Sequence, residues 1–465
     1  MLLTAVRPAR RQLLRGGALL TAALATGCAH EDEGAFATGS LSGGPAEAFA
    51  PPDHRLSGSL RILMWSHFVP THDSWFDAFA RRWGSRVGVD VTVDHIDLGQ
   101  IPTRVAAELH AGQGHDLIQH VAPLPQFEPA VLDLADLVAE ANRRWGPQLE
   151  LCRRSSFNPR TNRWYAYAPG WVPDPGNYRR SLWAAVGLPE GPSTWDELLQ
   201  GGTRIRRTTG IRLGLGMSQE LDSNMLGRAL LWSYGASVQD AQGRVALNSP
   251  ETVAAVEFMA RLFRSAMSDE VFAWTAASNN HGLVAGQLSY ITNSISAWRT
   301  AQRSNPDVAA DTYFRPALRG PAAALASYHL LYNWIIPKYA SGAAAAQEFL
   351  LHYTANYAAA TYASKLYDLC AWPALTPDLP TWLGRDPFRA QPPDKLALLA
   401  DAARWSADLG HPGPTSAAVG EVMSTFVIPN MFARAARGEV SAAVAVADAD
   451  AQLRPIFRRW RDLDA

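Results

Sequence analysis

The sequence predicts an α/β protein built from more than one unit, on three observations. The chain of 465 residues holds two to three domains at about 150 residues each. Between Leu60 and Ile118, apolar runs of strand length alternate with segments of helical periodicity. A second alternation of the same kind begins after Arg179. The composition is globular, with 48% hydrophobic and 18% charged residues, and 16 tryptophans are out of place in a disordered chain. A net charge of −1 supplies no field that draws phosphates, so no nucleic-acid partner is expected. Three cysteines without a CxxC pair exclude a disulfide scaffold and a thiolate zinc site.

The N-terminus reads as an export signal. Residues 9–15 (ARRQLLR) are basic, and Gly16 to Ala25 is a short apolar run before Thr26, Gly27 and Cys28. About ten residues cannot span a hydrocarbon core of ~30 Å, so residues 1–27 are expected to be cleaved rather than to anchor the chain. Arg10 and Arg11, two leucines and Arg15 resemble the twin-arginine signal. LATGC at 24–28 resembles a bacterial lipobox with Cys28 as the acylated residue, although Ala25 stands where leucine is usual. No later run reaches 18 apolar residues, so lipid alone would hold the protein to the membrane. Residues 28–57, rich in Gly, Pro, Ala and acids, are expected to be a flexible tether.

Leu60 to Trp65 reads as a strand, and Asp73 to Gly84 as a helix with Trp75, Phe76, Phe79 and Trp83 on one face. Asp90 to Ile96 alternates as a strand, Ile101 to Ala111 is helical before Gly112, and Asp116 to Ile118 opens a third strand. This βαβαβ order predicts a parallel sheet with its ligand side beyond the strands' carboxyl ends, at Trp65 to Phe68 and Gln119 to Ala122. In the second unit Thr194 and Glu197 form a capping box, Ile211 to Met217 is a strand, and Pro250 starts a helix with Val253, Val256, Met259 and Phe263 inward. Leu288 to Asn293 and Tyr328 to Pro337 are strands, and the chain from Gly342 is mostly helical, ending in the amphipathic stretch Val440 to Trp460.

Neither catalysis nor a cofactor has a motif. Gly214 and Gly216 lack the third glycine of a dinucleotide site, and GxSxG and phosphate-loop patterns are absent. His67 with His72, and His115 with His120, are each five apart. On a strand and loop that spacing does not converge two imidazoles, so no metal site is expected. Asp94, Asp97, Asp116 and Asp174 could supply two carboxylates for glycoside hydrolysis, but isolated acids in such architecture more often cap helices or accept from sugar hydroxyls. The tryptophans offer the flat apolar faces on which sugar rings stack.

From GSLRILMW through FDAFARRWG, VDVTVDHID, AGQGHDLIQ, YAYAPGWVPDPGNYRRSLWAAVGLP and STWDELL to VAGQLSYITNSISAW and IIPKYASGAAAAQEFL, the chain resembles an extracellular solute-binding protein of an ABC importer, of the large sugar-binding type. The resemblance implies a two-lobed periplasmic-binding-protein fold, each lobe a mostly parallel sheet flanked by helices, joined by crossing strands near Pro169 to Pro175 and Thr312 to Pro316. It places 58–170 with about 315–348 in lobe one, and 175–311 with about 349–465 in lobe two. Cys152 and Cys370 then fall in different lobes and stay unpaired. The implied function is capture of a small solute, a sugar or polyol, by a monomer outside the cytoplasm, and delivery to the importer permease. No enzyme activity, cofactor or metal is implied. The implied ligand residues are Trp65, His67, His120, Trp171, Asp174, Asn293, Ser294, Ser296, Tyr328 and Tyr332. Ser296 stands where the family carries an aromatic residue. The alternatives are a secreted carbohydrate-active hydrolase and a ligand-sensing lipoprotein subunit.

Overall fold

The computed structural model describes residues 44–122 and 125–463; the signal peptide, Cys28 and the first part of the expected tether lie outside them. In chain order the strands are β1 (Ser59–Trp65), β2 (Asp90–Ile96), β3 (Leu117–His120), β4 (Phe157–Asn158), β5 (Arg163–Trp164), β6 (Gly170–Pro173), β7 (Gly176–Arg179), β8 (Arg212–Gly214), β9 (Leu288–Thr292), β10 (Thr312–Arg315), β11 (Ala326–Leu331), β12 (Asn333–Ile335), β13 (Leu369–Cys370) and β14 (Ser406–Ala407).

The apolar run of β1 is buried on both faces, as a central parallel strand requires. It pairs in parallel with β2 and β3, and β12 closes the sheet antiparallel to β3. The helix Thr71–Val87 covers this sheet with Phe76, Phe79, Ala80 and Trp83, and ends at Gly88 in the left-handed region with φ 78°. The second sheet has the order β10-β7-β9-β8, and only β8 and β9 run parallel. The expectation of mostly parallel sheets therefore fits the first lobe, while the second is mixed. The direction of β7 is set by the strand that delivers it from the other lobe, not by a crossover helix.

A third sheet, β13-β6-β11-β14, joins the two. Its two central strands are antiparallel, and each runs on into a different lobe. β6 continues through Asp174 and Pro175 into β7 of the second sheet, and β11 continues through Tyr332 into β12 of the first. The segment Pro169 to Pro175 contains β6 and leads from the third sheet into β7 of the second. The segment Thr312 to Pro316 does not cross, because β10 pairs with β7 inside the second sheet; the return runs through β11.

The chain also stays with the first lobe beyond residue 348. The helix Ala343–Ala355 packs on β1, and Tyr357–Ala363 packs on Thr71–Val87. Phe349 and Tyr353 meet Phe76 edge-on at 5.8 and 5.4 Å, and burial of these aromatic rings holds the segment there.

The expected tether ends sooner than residue 57. The Ala48 N–H donates to Asn356 Oδ1 at 2.7 Å, Asn356 Nδ2 donates to Ala48 O at 3.0 Å, and Trp75 Nε1 donates to Glu47 at 2.9 Å. Phe49 stands edge-on to His352 at 5.7 Å. Single anchors of this kind need no periodicity, so composition alone reads the segment as a leash. Cys152 and Cys370 are free and buried, but not in separate lobes. The Leu149 N–H donates to Ala371 O at 2.8 Å, which lays the helix Glu150–Ser156 beside β13. Burial pushes the Cys370 thiol up to about 12 and Cys152 well above its ordinary value, which leaves both as unreactive thiols.

The helix Ser296–Ser304 is tied down by Arg299, whose Nη1 and Nη2 each donate to the Asp386 carboxylate at 2.9 Å. Its Nε and Nη2 also donate to Lys365 O at 3.0 and 2.7 Å. Removing one partner of a buried pair strands the other charge. Asp386→Ala is expected to lower unfolding free energy in urea by about 3–5 kcal/mol; a loss below ~1 kcal/mol would show that the pair is solvated.

Candidate functional site

The two junctions of the third sheet gather the polar side chains. Asp174 follows β6, and His329 lies at the point of β11 where the register against β6 shifts between Tyr328 and Leu330. A bulge re-aims the side chain it frees from the ladder, and His329 Nδ1 stands 3.3 Å from Asp174 Oδ1, an ion-pair distance without hydrogen-bond geometry.

Asp222 approaches from the second lobe, in the first turn of the helix Leu221–Ser233. Glu220 caps that helix by accepting from the N–H groups of Asp222 and Ser223, both at 2.6 Å. Asn279 Nδ2 donates to Asp222 at 2.7 Å. The loop after β9 is fastened to the crossing: the Asn293 N–H donates to Pro175 O at 3.3 Å, and Asn177 Nδ2 donates to Asn293 O at 2.8 Å. Asn280 joins Asn293 to Ser296, accepting from Asn293 Nδ2 at 2.6 Å and donating to Ser296 Oγ at 3.2 Å.

On the first-lobe side, Tyr332 Oη donates to Asp368 Oδ1 at 2.6 Å, and His67 Nε2 lies 3.3 Å from the same oxygen. The Trp65 ring tilts against His67 at 4.8 Å. Tyr367 links the two halves, edge-on to His67 at 5.0 Å and to His329 at 6.4 Å.

Of the residues singled out from sequence, Trp65, His67, Asp174, Asn293, Ser296 and Tyr332 thus fall into one connected set. Ser294 sits in the same loop, its Oγ buried without a partner. Trp171 lies opposite Leu331 and Leu369 in the third sheet, its Nε1 likewise unpartnered. His120 and Tyr328 stand apart. His120 turns to its own loop, with Nδ1 2.7 Å from Ala122 O, and burial lowers its pKa to about 4. Tyr328 lies among Asp408, Tyr165 and Arg228, on the face of β11 away from His329.

Sequence reasoning missed Asp222, Glu220, His329, Tyr367 and Asp368. Only the bulge distinguishes His329 from its neighbours, and Asp368 precedes a two-residue strand too short to show a pattern. The histidine spacing misled in one case. His67 and His72 stack with ring centroids 4.5 Å apart, because the turn between β1 and Thr71–Val87 folds back, with the His67 N–H donating to Asp73 at 2.9 Å. His115 keeps to a local network with Glu108 and Asp94, each at 2.8 Å. The other acids are spent locally. Asp97 caps the turn at Gly99, and Asp116 accepts from the N–H groups of Arg61 and Gly342. No second carboxylate from that set joins Asp174.

The site is charged and dry. Burial, with the nearby Asp174 adding to it, raises Asp222 to about 6. Burial and the Asp222 charge raise Glu220 to about 8. Burial opposes the imidazolium of His329, but Asp174, Asp222 and Glu220 outweigh it and its pKa rises. The residues of this region carry acceptors on Asp174, Asp222 and Asn293 and donors on His329, Ser294 and Trp171, a mixture matched to hydroxyl groups, which donate and accept at once. A surface concavity of about 480 Å³ between the helices Trp195–Thr209 and Pro250–Ala266 is lined by Leu199, Thr203, Arg204 and Arg261 and includes none of these residues.

The profile of the family described as bacterial extracellular solute-binding protein matches residues 70–360. Putative binding proteins of Brucella abortus and Brucella suis are 27% identical over 93 residues, which is 20% of this chain and 22% of each of theirs. The maltose-bound MalE3 of T. maritima superimposes with a TM-score of 0.71 at 19% identity, covering 85% of this chain and 99% of that one. A sugar transporter of Arthrobacter chlorophenolicus with bound laminaribiose gives 0.71 at 15% over 86% and 99%. A solute-binding protein of Agrobacterium radiobacter with ribitol gives 0.70 at 16% over 86% and 98%. At these identities the likeness establishes the two-lobed fold.

The raised acids set a pH dependence. Between the ordinary 4.5 of a glutamate and about 8, Glu220 stays protonated in the fold and ionises in the unfolded chain, so it pulls stability down as pH rises. Asp222 acts likewise between 3.8 and about 6. The stabilising imidazolium of His329 is fully present below 6.5 and is lost as pH climbs through its raised value. The melting temperature of the solute-free protein is expected to fall from pH 5 to pH 8, and Glu220→Gln should flatten the slope. An unchanged slope in that variant would contradict the assignment.

Proposed function

This chain belongs to the bacterial extracellular solute-binding proteins, and on that footing we propose that it captures a sugar or polyol at the strand crossing between its two lobes and delivers it to an ABC importer permease. The supporting observation is the buried set of polar atoms at the crossing that find no hydrogen-bond partner within the protein: Asn293 Oδ1, Ser294 Oγ and Trp171 Nε1. Such atoms cost about 1–3 kcal/mol each when left unpaired, and a polyhydroxylated solute would partner several together. Bound ligands in the structural neighbours are a disaccharide in two cases and a sugar alcohol in the third.

In this reading Asp174 and Asp222 accept from hydroxyls, His329 donates, and Trp65 and Trp171 supply ring-stacking faces. A solute touching both lobes binds the closed arrangement more tightly than the open one, and that difference in affinity drives closure. The family acts outside the cytoplasm, and no helix among the described residues is long and apolar enough to cross a membrane. We propose that the protein is exported through its twin-arginine-type signal and held by acylated Cys28, and that it acts as a monomer. Family and neighbours are binding proteins, and this reading assigns the chain the same role.

Calorimetric titration with maltose, laminaribiose and ribitol tests the proposal. At least one is expected to bind, and Asp174→Asn or Asp222→Asn should weaken it by about 1–3 kcal/mol, the cost of a buried hydrogen bond left half made. Binding unaffected by both substitutions would remove the crossing as the site. Failure of every sugar and polyol to bind would remove the solute class.

A further inference from the structure

We propose that His67, His72 and Asp368 form a site for one divalent transition-metal ion with zinc-like ligand preference, on the first-lobe side of the crossing. The three side chains are 4%, 2% and 0% exposed, and one ligand atom from each lies within 4.8 Å of the others. His67 Nε2 stands 3.3 Å from Asp368 Oδ1, and His72 Nε2 stands 3.6 Å from Asp368 Oδ2. Zinc bonds of about 2.0–2.2 Å in tetrahedral geometry hold donor atoms roughly 3.3 Å apart, so small side-chain movements bring all three to one ion.

The protein itself leaves these atoms under-used. Both ring nitrogens of His72 and Oδ2 of Asp368 are buried without a hydrogen-bond partner. An imidazole sealed from water with neither nitrogen satisfied is costly, and a metal ion would resolve it.

The outer partners are those that metal-ligating histidines use. A ligating imidazole presents its other nitrogen to a carboxylate or carbonyl, which fixes its tautomer. His72 Nδ1 faces Asp73 Oδ1 at 3.8 Å, and His95 backs that carboxylate, with Nδ1 at 3.6 Å from it and Nε2 at 2.8 Å from Asp77. His67 Nδ1 lies 3.2 Å from Val69 O. Without metal, Nδ1 accepts from the Val69 N–H at 2.9 Å and Nε2 can donate to Asp368. Binding at Nε2 requires that proton at Nδ1, which then gives up the bond from the Val69 N–H and donates to the Val69 carbonyl instead. Tyr332 Oη, donating to Asp368 Oδ1 at 2.6 Å, holds the carboxylate in place. A water carried in with the ion would supply the fourth ligand. The inference does not depend on which solute the crossing takes.

The competing account is that the histidines serve by protonation alone, pairing with Asp368 as imidazolium. Zinc titration of the full chain after exhaustive chelation separates the two. The metal account expects one zinc per chain and a raised melting temperature. With cobalt(II) in place of zinc, it expects the intense visible bands of a four-coordinate ion. His72→Gln should abolish the binding, and Asp73→Asn, which keeps all three ligands, should weaken it by about tenfold to a hundredfold. No zinc binding, or binding equally tight in His72→Gln and Asp73→Asn, would overturn the proposal. Should His72→Gln fail to fold, the Asp73→Asn affinity and the wild-type cobalt spectrum decide, and an octahedral spectrum counts against the site.

Discussion

Buried polar groups must find partners, and several at the crossing of the third sheet have none within the protein. A protein can cross between two sheets with apolar strands and satisfied backbones, and most of β6 and β11 does so. At their ends the chain instead places Asp174, His329 and Tyr332, and meets them with Asp222 and Asn293 from the second lobe and with His67 and Asp368 from the first. The directions of β7 and β12 in the two flanking sheets follow from how β6 and β11 pass through this point, which gives the antiparallel pairings β7-β9 and β12-β3. The cost of leaving polar atoms unpaired in a buried interior is the reason the crossing is proposed as the ligand site.

Much of the fold was legible because it rests on periodicity. The alternating strands and helices from Leu60 to Ile118, the capping box at Thr194 and the helix from Pro250 follow from patterns of apolar residues and caps that act over a few residues. What the sequence hid depends on contacts between distant segments. That Ala343–Ala355 and Tyr357–Ala363 remain with the first lobe depends on Phe349 and Tyr353 reaching Phe76. That residues 44–49 lie on the fold depends on two bonds between Ala48 and Asn356.

The site divides the same way. Asp174 and Asn293 stood out as candidates by their positions at the crossing and at the end of a strand. His329 escaped notice because a one-residue bulge turns it toward Asp174, while Tyr328 beside it points to Arg228 and Asp408. The pairing of His67 with His72 was set aside on spacing, yet a backbone turn pinned by Asp73 stacks the two rings. Spacing rules describe regular elements, and these residues sit where an element ends.

The most direct measurement of the central claim is a crystal structure of the protein with the sugar or polyol that binds it best. The account predicts that the solute lies at the ends of β6 and β11, its hydroxyls within hydrogen-bond distance of Asp174, Asp222 and His329. A solute seated elsewhere, such as in the concavity beside Arg204 and Arg261, with the crossing unchanged, would contradict it.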